Sequence, residues 1–536
     1  MAFLKIDKKK KGTYMRIIQS VRVNGKPSHK TLYSLGKVED YPTHQLENIA
    51  KKLLELAGVK MEDIVAKSFY ETNRLNYGYA LVIKKLWKIF NMDKLCKILS
   101  SKTKTKFDWI NILQLMIAER INEPCSKRQN YFHKEEYLGF GKQIELQYFY
   151  RTLDILAKQQ DKIKQHLFTQ QQNLFSGQLD VVFYDVTTLY FDSQKLEEES
   201  LRQKGYSKDG KPHNTQIVLG ILVDKLRNPI TYNIYKGNTY EGITMIDALN
   251  QLKEQYSIDK CIVVADSAMI DRSNRELLKQ HGIDYIIGDR IKNLPKRITE
   301  ELINKDNHRV VNEKIAKENL SYAEVSYQGR RIICTYSAKR AKKDAFNRQK
   351  LIEKAEKWIE NPSKYKQVKK RGAGRFINID QDGLPKELDT KQIEKDAKYD
   401  GFKAIASNNN NLKVIEILEK YGDLYEVEHA FRTLKSQLEI RPMFHWTDKR
   451  IEGHIAMSFI AYTFLNYIRN ITRLQNKEIV RALDKMQMSE IKEDDNNELL
   501  YMRSTITKEQ EILQKKLKIV LPKDITSQKA INQMFI

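Results

Sequence analysis

Leu179-Asp-Val-Val-Phe-Tyr-Asp185-Val-Thr-Thr188 sets a nearly unbroken run of strand formers directly before an aspartate. β-branched and aromatic residues suit a pleated, buried surface, so the run predicts a central strand. A carboxylate buried at the end of such a strand is costly unless a cation or strong hydrogen bonds compensate it. Cys261-Ile-Val-Val-Ala265, followed by Asp266, repeats the arrangement. Either aspartate alone could cap the segment after it. Two of them in the same relation to apolar strands point to a shared ion.

Working outward, Gln216 to Val223 and Ile230 to Tyr235 are two more strand-like runs, and the polar stretch Gly205 to Asn214, with its glycines and Pro212, predicts a mobile connection before them. A helix is expected from Thr244 to Tyr256, then the Cys261 strand, another helix and the strand Tyr285-Ile-Ile-Gly288. Three adjacent strands followed by alternating helix and strand describe an α/β fold, a mixed sheet flanked by helices. From about Asp289 to Asn410 the alternation is lost and basic residues become dense, as in Lys364 to Arg375, which predicts an insertion. At the other end, Tyr14 to Leu35 forms two β-type runs around Asn24-Gly25, a hairpin signal. Helical periodicity follows at Thr43 to Ala57, Tyr79 to Phe90 and Trp109 to Ile121. The expected organisation is a basic hairpin element over 1–40, a helical DNA-end-binding region over 41–175, a sheet domain split into 176–290 and 411–475, an insertion over 291–410, and a helical tail over 476–536.

The chain carries 94 Lys plus Arg against 69 Asp plus Glu, a net +25 spread along its length, so a polyanionic partner is expected. Lys127 and Arg128, after Pro124, look exposed and suit contact with DNA, or simply a solvated helix face. Cys96, Cys125, Cys261 and Cys334 lie too far apart for a short-spaced zinc motif or a disulfide framework. No apolar signal segment or membrane-length run is evident, and the expected location is cytoplasmic, at the nucleoid for a DNA-binding protein.

A helix is predicted from Leu412 to Leu438. At about 100° per residue, positions seven apart nearly superimpose, so Tyr421, Glu428 and Lys435 form one stripe. Leu424, Val427, Phe431, Leu434 and Leu438 form the adjoining apolar face, which leaves Glu428 at the border of an open cleft. Asp185, Asp266 and Glu428 are hard oxygen donors without a His or Cys cluster, the set that suits Mg²⁺ or Mn²⁺. Two such ions about 3.5–4 Å apart serve phosphoryl transfer on DNA, with bases such as Lys435 holding phosphates. His429, His445 and His454 read as structural or phosphate-contacting groups, not metal ligands.

Tyr421-x-x-Leu424-x-x-x-Glu428-x-x-x-x-x-x-Lys435 resembles the Tyr-Arg-Glu-Lys signature of the IS4-superfamily DDE transposases. Glu428-His-Ala-Phe-Arg432-Thr-Leu-Lys435, Arg441-Pro442, His445 and Gly453-His454 resemble the IS1634-type branch, as do Tyr206-Ser-Lys-Asp-Gly210, Gly237-Asn238-Thr239 and the N-terminal Ser34-Leu35-Gly36. Tyr184-Asp185-Val-Thr-Thr188 and Val264-Ala-Asp266-Ser-Ala-Met269 match the blocks of the first and second aspartates. The resemblance implies an RNase H-like fold interrupted by an insertion domain before the glutamate helix. It also implies two Mg²⁺ or Mn²⁺ ions on Asp185, Asp266 and Glu428, and a homodimer acting on the inverted-repeat ends of an insertion sequence and on target DNA. The signature arginine is Leu424 here, so its backbone contact is either missing or supplied by Arg432. A nuclease without strand transfer and a decayed DNA-binding repressor are the competing readings of the same residues.

Overall fold

The computed structural model describes residues 2–535 apart from 24–25, 60–68, 102–104, 142, 176–178, 196–198, 207–209, 212, 257–260, 268–271, 281, 312–319, 363–369 and 494–495. The chain forms two compact units: Met1–Arg74 with Met488–Arg503 and Pro522–Gln533, and Leu75–Gln487 with Ser504–Leu521 and Met534–Ile536.

In the first unit Ala2–Lys9, Gly12–Val23 and Lys26–Lys37 form an antiparallel sheet with Met15 and Ile18 buried. The expected hairpin is therefore two strands of a three-stranded sheet. Its Asn24-Gly25 turn lies outside the described residues, between the paired Val23 and Lys26. A second sheet runs in the order Ile525–Ser527, Asn496–Arg503, Gln487–Glu493, Phe69–Asn76. This corrects the expectation of a helical tail over 476–536. Strands packed on one face alternate apolar with charged residues, and in a segment this rich in charge the alternation is easily read as a solvated helix.

The second unit is built on a nine-stranded sheet. We number its strands β1 (Val181–Tyr190), β2 (Gln216–Val223), β3 (Pro229–Lys236), β4 (Ile262–Ala265), β5 (Asp284–Asp289), β6 (Arg309–Val310), β7 (Leu320–Tyr327), β8 (Arg330–Ser337) and β9 (Phe402–Ser407). Across the sheet they run β3-β2-β1-β4-β5 and continue β9-β8-β7-β6. The β1-β2-β3 meander is antiparallel, whereas β4 and β5 lie parallel to β1. The connection before β2 is pinned where it is described, by reciprocal backbone hydrogen bonds between Gln203 and Gln216.

Val182, Tyr184, Val186, Val263, Ala265, Tyr285 and Ile287 line one face with Met245 and Ala248 of the Glu241–Tyr256 helix and Leu278 of the Arg272–Gln280 helix. The opposite face carries Val414–Gly422 against β4 and β5, and Tyr425–Arg432 against β1 and β2. The largely buried Asp448–Thr472 helix packs on β3 and on Leu146–Ala157. Gly453 makes that crossing possible, since a Cβ there would stand 2.1 Å from the Leu153 carbonyl oxygen.

Residues 291–410 do not form a separate body as the loss of alternation suggested. β9 pairs antiparallel with the outer edge of β5, and β8, β7 and β6 extend the same sheet.

Candidate active site

Asp185 and Asp266 are placed by strand register. Tyr184 of β1 pairs in parallel with Ala265 of β4, so each aspartate is the next residue along neighbouring strands. Tyr184 and Ala265 face the helix-covered core, and by alternation Asp185 and Asp266 turn to the opposite face. Each carboxylate accepts the following backbone N–H, from Val186 at 2.8 Å and from Ser267 at 2.7 Å. A carboxylate has about four acceptor positions, so capping and coordination are compatible uses of the same group. Asp185 is half-buried and Asp266 exposed.

Glu428 lies exposed on Tyr425–Arg432, the helix that crosses β1 and β2 on that same face. Val427, Phe431, Leu434 and Leu438 are buried beside it, as the apolar-face reading requires. The helix expected over 412–438 is nevertheless interrupted twice. The turn at Asp423 and Leu424 tightens, with Leu424 bonding to Tyr421 and Glu426 to Asp423, and Thr433–Gln437 widens into a π turn in which the Leu438 N–H donates to the Thr433 carbonyl. A π turn advances each residue through a smaller angle, so Lys435 does not keep the azimuth that ideal α geometry assigned to it. Lys435 is half-buried and Arg432 exposed.

Tyr421 is drawn toward the aspartates by a close approach at Gly288. A Cβ there would meet the Tyr421 hydroxyl at 2.6 Å and the Ser267 nitrogen at 3.2 Å. The Lys403 ammonium sits 4.3 Å from the centre of the Tyr421 ring. Burial and the neighbouring Asp266 and Glu428 carboxylates raise the Tyr421 hydroxyl to about 12. Burial and Arg340 lower Lys403, while Asp266 and Glu428 pull it the other way. These shared fields gather Asp266, Glu428, Tyr421, Lys403 and Arg340 around one part of the face. The carboxylates of Asp185, Asp266 and Glu428 do not themselves close to within 4.8 Å of one another. Among the described residues that closeness is reached by Glu119, Cys125 and His133, where Glu119 accepts hydrogen bonds from Cys125, Asn130 and His133.

Sequence reasoning missed Lys403 and Arg340, which arrive from β9 and from the start of the Ala338–Glu360 helix. The available signal was a lysine inside the apolar run Phe402-Lys-Ala-Ile-Ala406. It also missed that Glu426, two residues from Glu428, pairs with Arg227 and braces the helix against the end of β2. Lys127 requires a correction. It is buried, and its ammonium donates to Asn130 at 2.7 Å instead of facing solvent; Arg441, Pro442, Phe444 and His445 line the same cavity. Arg128 is exposed as expected.

A β3-β2-β1-β4-β5 sheet with carboxylates at the adjacent ends of β1 and β4, crossed by a glutamate-bearing helix, is an RNase H-like architecture. The family described as Transposase DDE domain matches residues 176–464, and the IS1634 family transposase, N-terminal domain, matches residues 4–59. The chain belongs to the DDE transposases, and within them to the IS1634 type. Similar solved structures include the Mos1 transposase paired-end complex with left transposon end, at 14% identity and TM-score 0.15, covering 34% of this chain and 59% of that one. The Mos1 mariner paired end complex with Mn is 15% identical at TM-score 0.14, covering 34% and 60%. This chain thus spans less than two thirds of the length of either. No curated protein matches the chain. Among the described residues no helix is long and apolar enough to cross a membrane.

Proposed function

We propose that this chain binds the inverted-repeat ends of an insertion sequence, cleaves them by metal-dependent hydrolysis and joins the 3′-OH ends to target DNA, as a homodimer on DNA. The observation that carries the reading is the register of β1 and β4, which sets Asp185 beside Asp266 under the Glu428 helix. DDE transposases use divalent ions, and the donors here fit them: hard oxygens, two on neighbouring rigid strands and a third on a helix over the same face. Asp185, Asp266 and Glu428 would hold two Mg²⁺ or Mn²⁺ ions. When bound, such ions lower the pKa of the attacking hydroxyl and neutralise charge on the leaving oxygen.

The rest is the work of the chain's own groups. Carboxylates on one face repel a phosphodiester, and Lys403 and Arg340, which share the fields of Asp266 and Glu428, would supply the opposing charge. Tyr421, held by Gly288 and capped by Lys403, offers a hydroxyl to a backbone oxygen next to the scissile one. Arg432, Lys435 and the exposed Arg128 would contact phosphates further along the strand. Such contacts fix the reacting phosphate, where small displacements cost about a hundredfold in rate.

The test uses a duplex carrying one inverted-repeat end together with supercoiled target, in Mg²⁺. Wild type should release 3′-OH ends and join them to the target, whereas Asp185→Ala, Asp266→Ala and Glu428→Ala should bind the duplex and do neither. Cleavage at wild-type rate in any of these variants removes that residue from the site. Hydrolysis without any joined product replaces transposition by a nuclease reading.

A further inference from the structure

A second polar site lies away from the carboxylates, where the Trp109–Asn122 helix and the loop after it meet residues 439–445 and the Asp448–Thr472 helix. A cavity of about 110 Å³ is lined there by Arg120, Lys127, Arg441, His445, His454 and Tyr150, and also by the carboxylate-bearing Glu439. A single water requires only about 10–15 Å³, so the space accommodates a larger polar guest.

Its walls are cationic to an unusual depth. Arg120 and Lys127 are both more than nine-tenths buried. Arg120 donates to the carbonyls of Cys125, Leu438 and Glu439, and Lys127 to the Asn130 side chain. Neither makes a hydrogen bond to a carboxylate among the described residues; the nearby Glu119 spends its Oε2 on Cys125, Asn130 and His133, and its Oε1 is buried without a hydrogen-bond partner. Arg120 Nε and His454 Nδ1 are buried without a hydrogen-bond partner. Burial lowers Arg120 to about 10 and Lys127 well below its ordinary value, and the fields of Glu119 and, at Arg120, Glu439 offset this only in part, so a further negative group rich in acceptors would hold both in their charged forms.

We propose that this cavity receives one phosphate group of bound DNA, held by Lys127, Arg120 and Arg441. The assignment rests on the transposase reading. A phosphate supplies several acceptor oxygens, one of which Arg120 Nε lacks, and adds negative charge to what Glu119 and Glu439 provide. Backbone phosphate is favoured over a free oxyanion because 439–445 directly follows the π turn that ends the Glu428 segment, so one short stretch of chain joins the cavity to the carboxylates. His445 and His454, with ring centres 4.8 Å apart, complete the wall as neutral groups. Burial holds His445 down to about 3 and His454 well below its ordinary value.

The experiment uses the full chain as wild type, Lys127→Met and Arg441→Gln, the second guarding against a folding defect in the first. In one arm, inorganic phosphate is compared with chloride at equal ionic strength by thermal shift. In the other, binding is measured to end duplexes carrying a single neutral methylphosphonate, moved one position at a time past the cleavage point. One position should weaken wild type by roughly tenfold and leave both variants indifferent, and the variants should lose about one unit of salt slope. Equal sensitivity of wild type and both variants at every position overturns the proposal. Stabilisation by inorganic phosphate with no coupled position reassigns the cavity to a free oxyanion and overturns the DNA source. Failure of wild type to bind unmodified end DNA overturns the transposase reading and, with it, this source, while the phosphate arm still judges the cavity.

Discussion

Asp185→Asn should stabilise the protein when divalent ions are chelated and abolish its stabilisation by them. Tyr184 and Ala265 are register partners, so the two aspartates that follow project from strands about 4.8 Å apart. Two unit charges at about 5 Å repel by roughly 3 kcal/mol at an effective dielectric near 20. Asp266 is exposed, which moves the value toward the aqueous limit, to about 1 kcal/mol. Replacing Asp185 by its neutral isostere removes that repulsion and keeps the hydrogen bond from Val186, so the chelated variant should melt roughly 1–2 °C above wild type. An ion at a hundredfold excess over its Kd stabilises wild type by about 2.7 kcal/mol, whereas the variant, short of a ligand, should respond weakly. Differential scanning fluorimetry in EDTA and across a Mn²⁺ titration reads both effects. A variant that gains as much from Mn²⁺ as wild type, or that melts below it in EDTA, would refute the reasoning.

Gly288→Ala should push the Tyr421 hydroxyl off its position and lower single-turnover cleavage about a hundredfold with end binding retained; if Tyr421→Phe lowers the rate further in that background, the two residues do not act as one unit. Lys403→Met should slow cleavage more than it weakens binding, and equal effects on both would mark Lys403 as an ordinary phosphate contact. Gly453→Ala places a methyl 2.1 Å from the Leu153 carbonyl oxygen and should cost roughly 3 kcal/mol or more, so an unchanged melting temperature would contradict the helix crossing. His445 titrates at about 3 in the fold against 6.5 unfolded, so its contribution is complete above pH 6.5 and is lost as pH falls, by up to about 1.4 kcal/mol per unit; His445→Gln should flatten the melting profile between pH 6.5 and 5.

The strands bearing Asp185 and Asp266 were legible because they are buried on both faces, which leaves a continuous apolar run ending in a charge. The apolar flank of Glu428 was legible for the same reason in helical spacing. Lys403 shows locally only as a lysine inside an apolar run; its place beside Tyr421 is set by the pairing of Ala404 with Asp289, which neither segment records by itself. The cavity that Lys127 shares with Arg441 and His445 is assembled from distant segments and is equally silent in its own neighbourhood. The π turn at Thr433–Gln437 has no periodic signature, since Leu434 and Leu438 satisfy ideal helical spacing as well as the wider turn.

The seam between β5 and β9 sets a timetable for a chain leaving the ribosome. β1 to β5 can pair as they emerge, but the outer edge of β5 waits for residues 402–407, and pairing across so long an intervening stretch is slow. Only beyond that seam does the segment bearing Glu428 follow. A nascent chain stalled short of residue 428 therefore holds both aspartates in register and still lacks its third carboxylate.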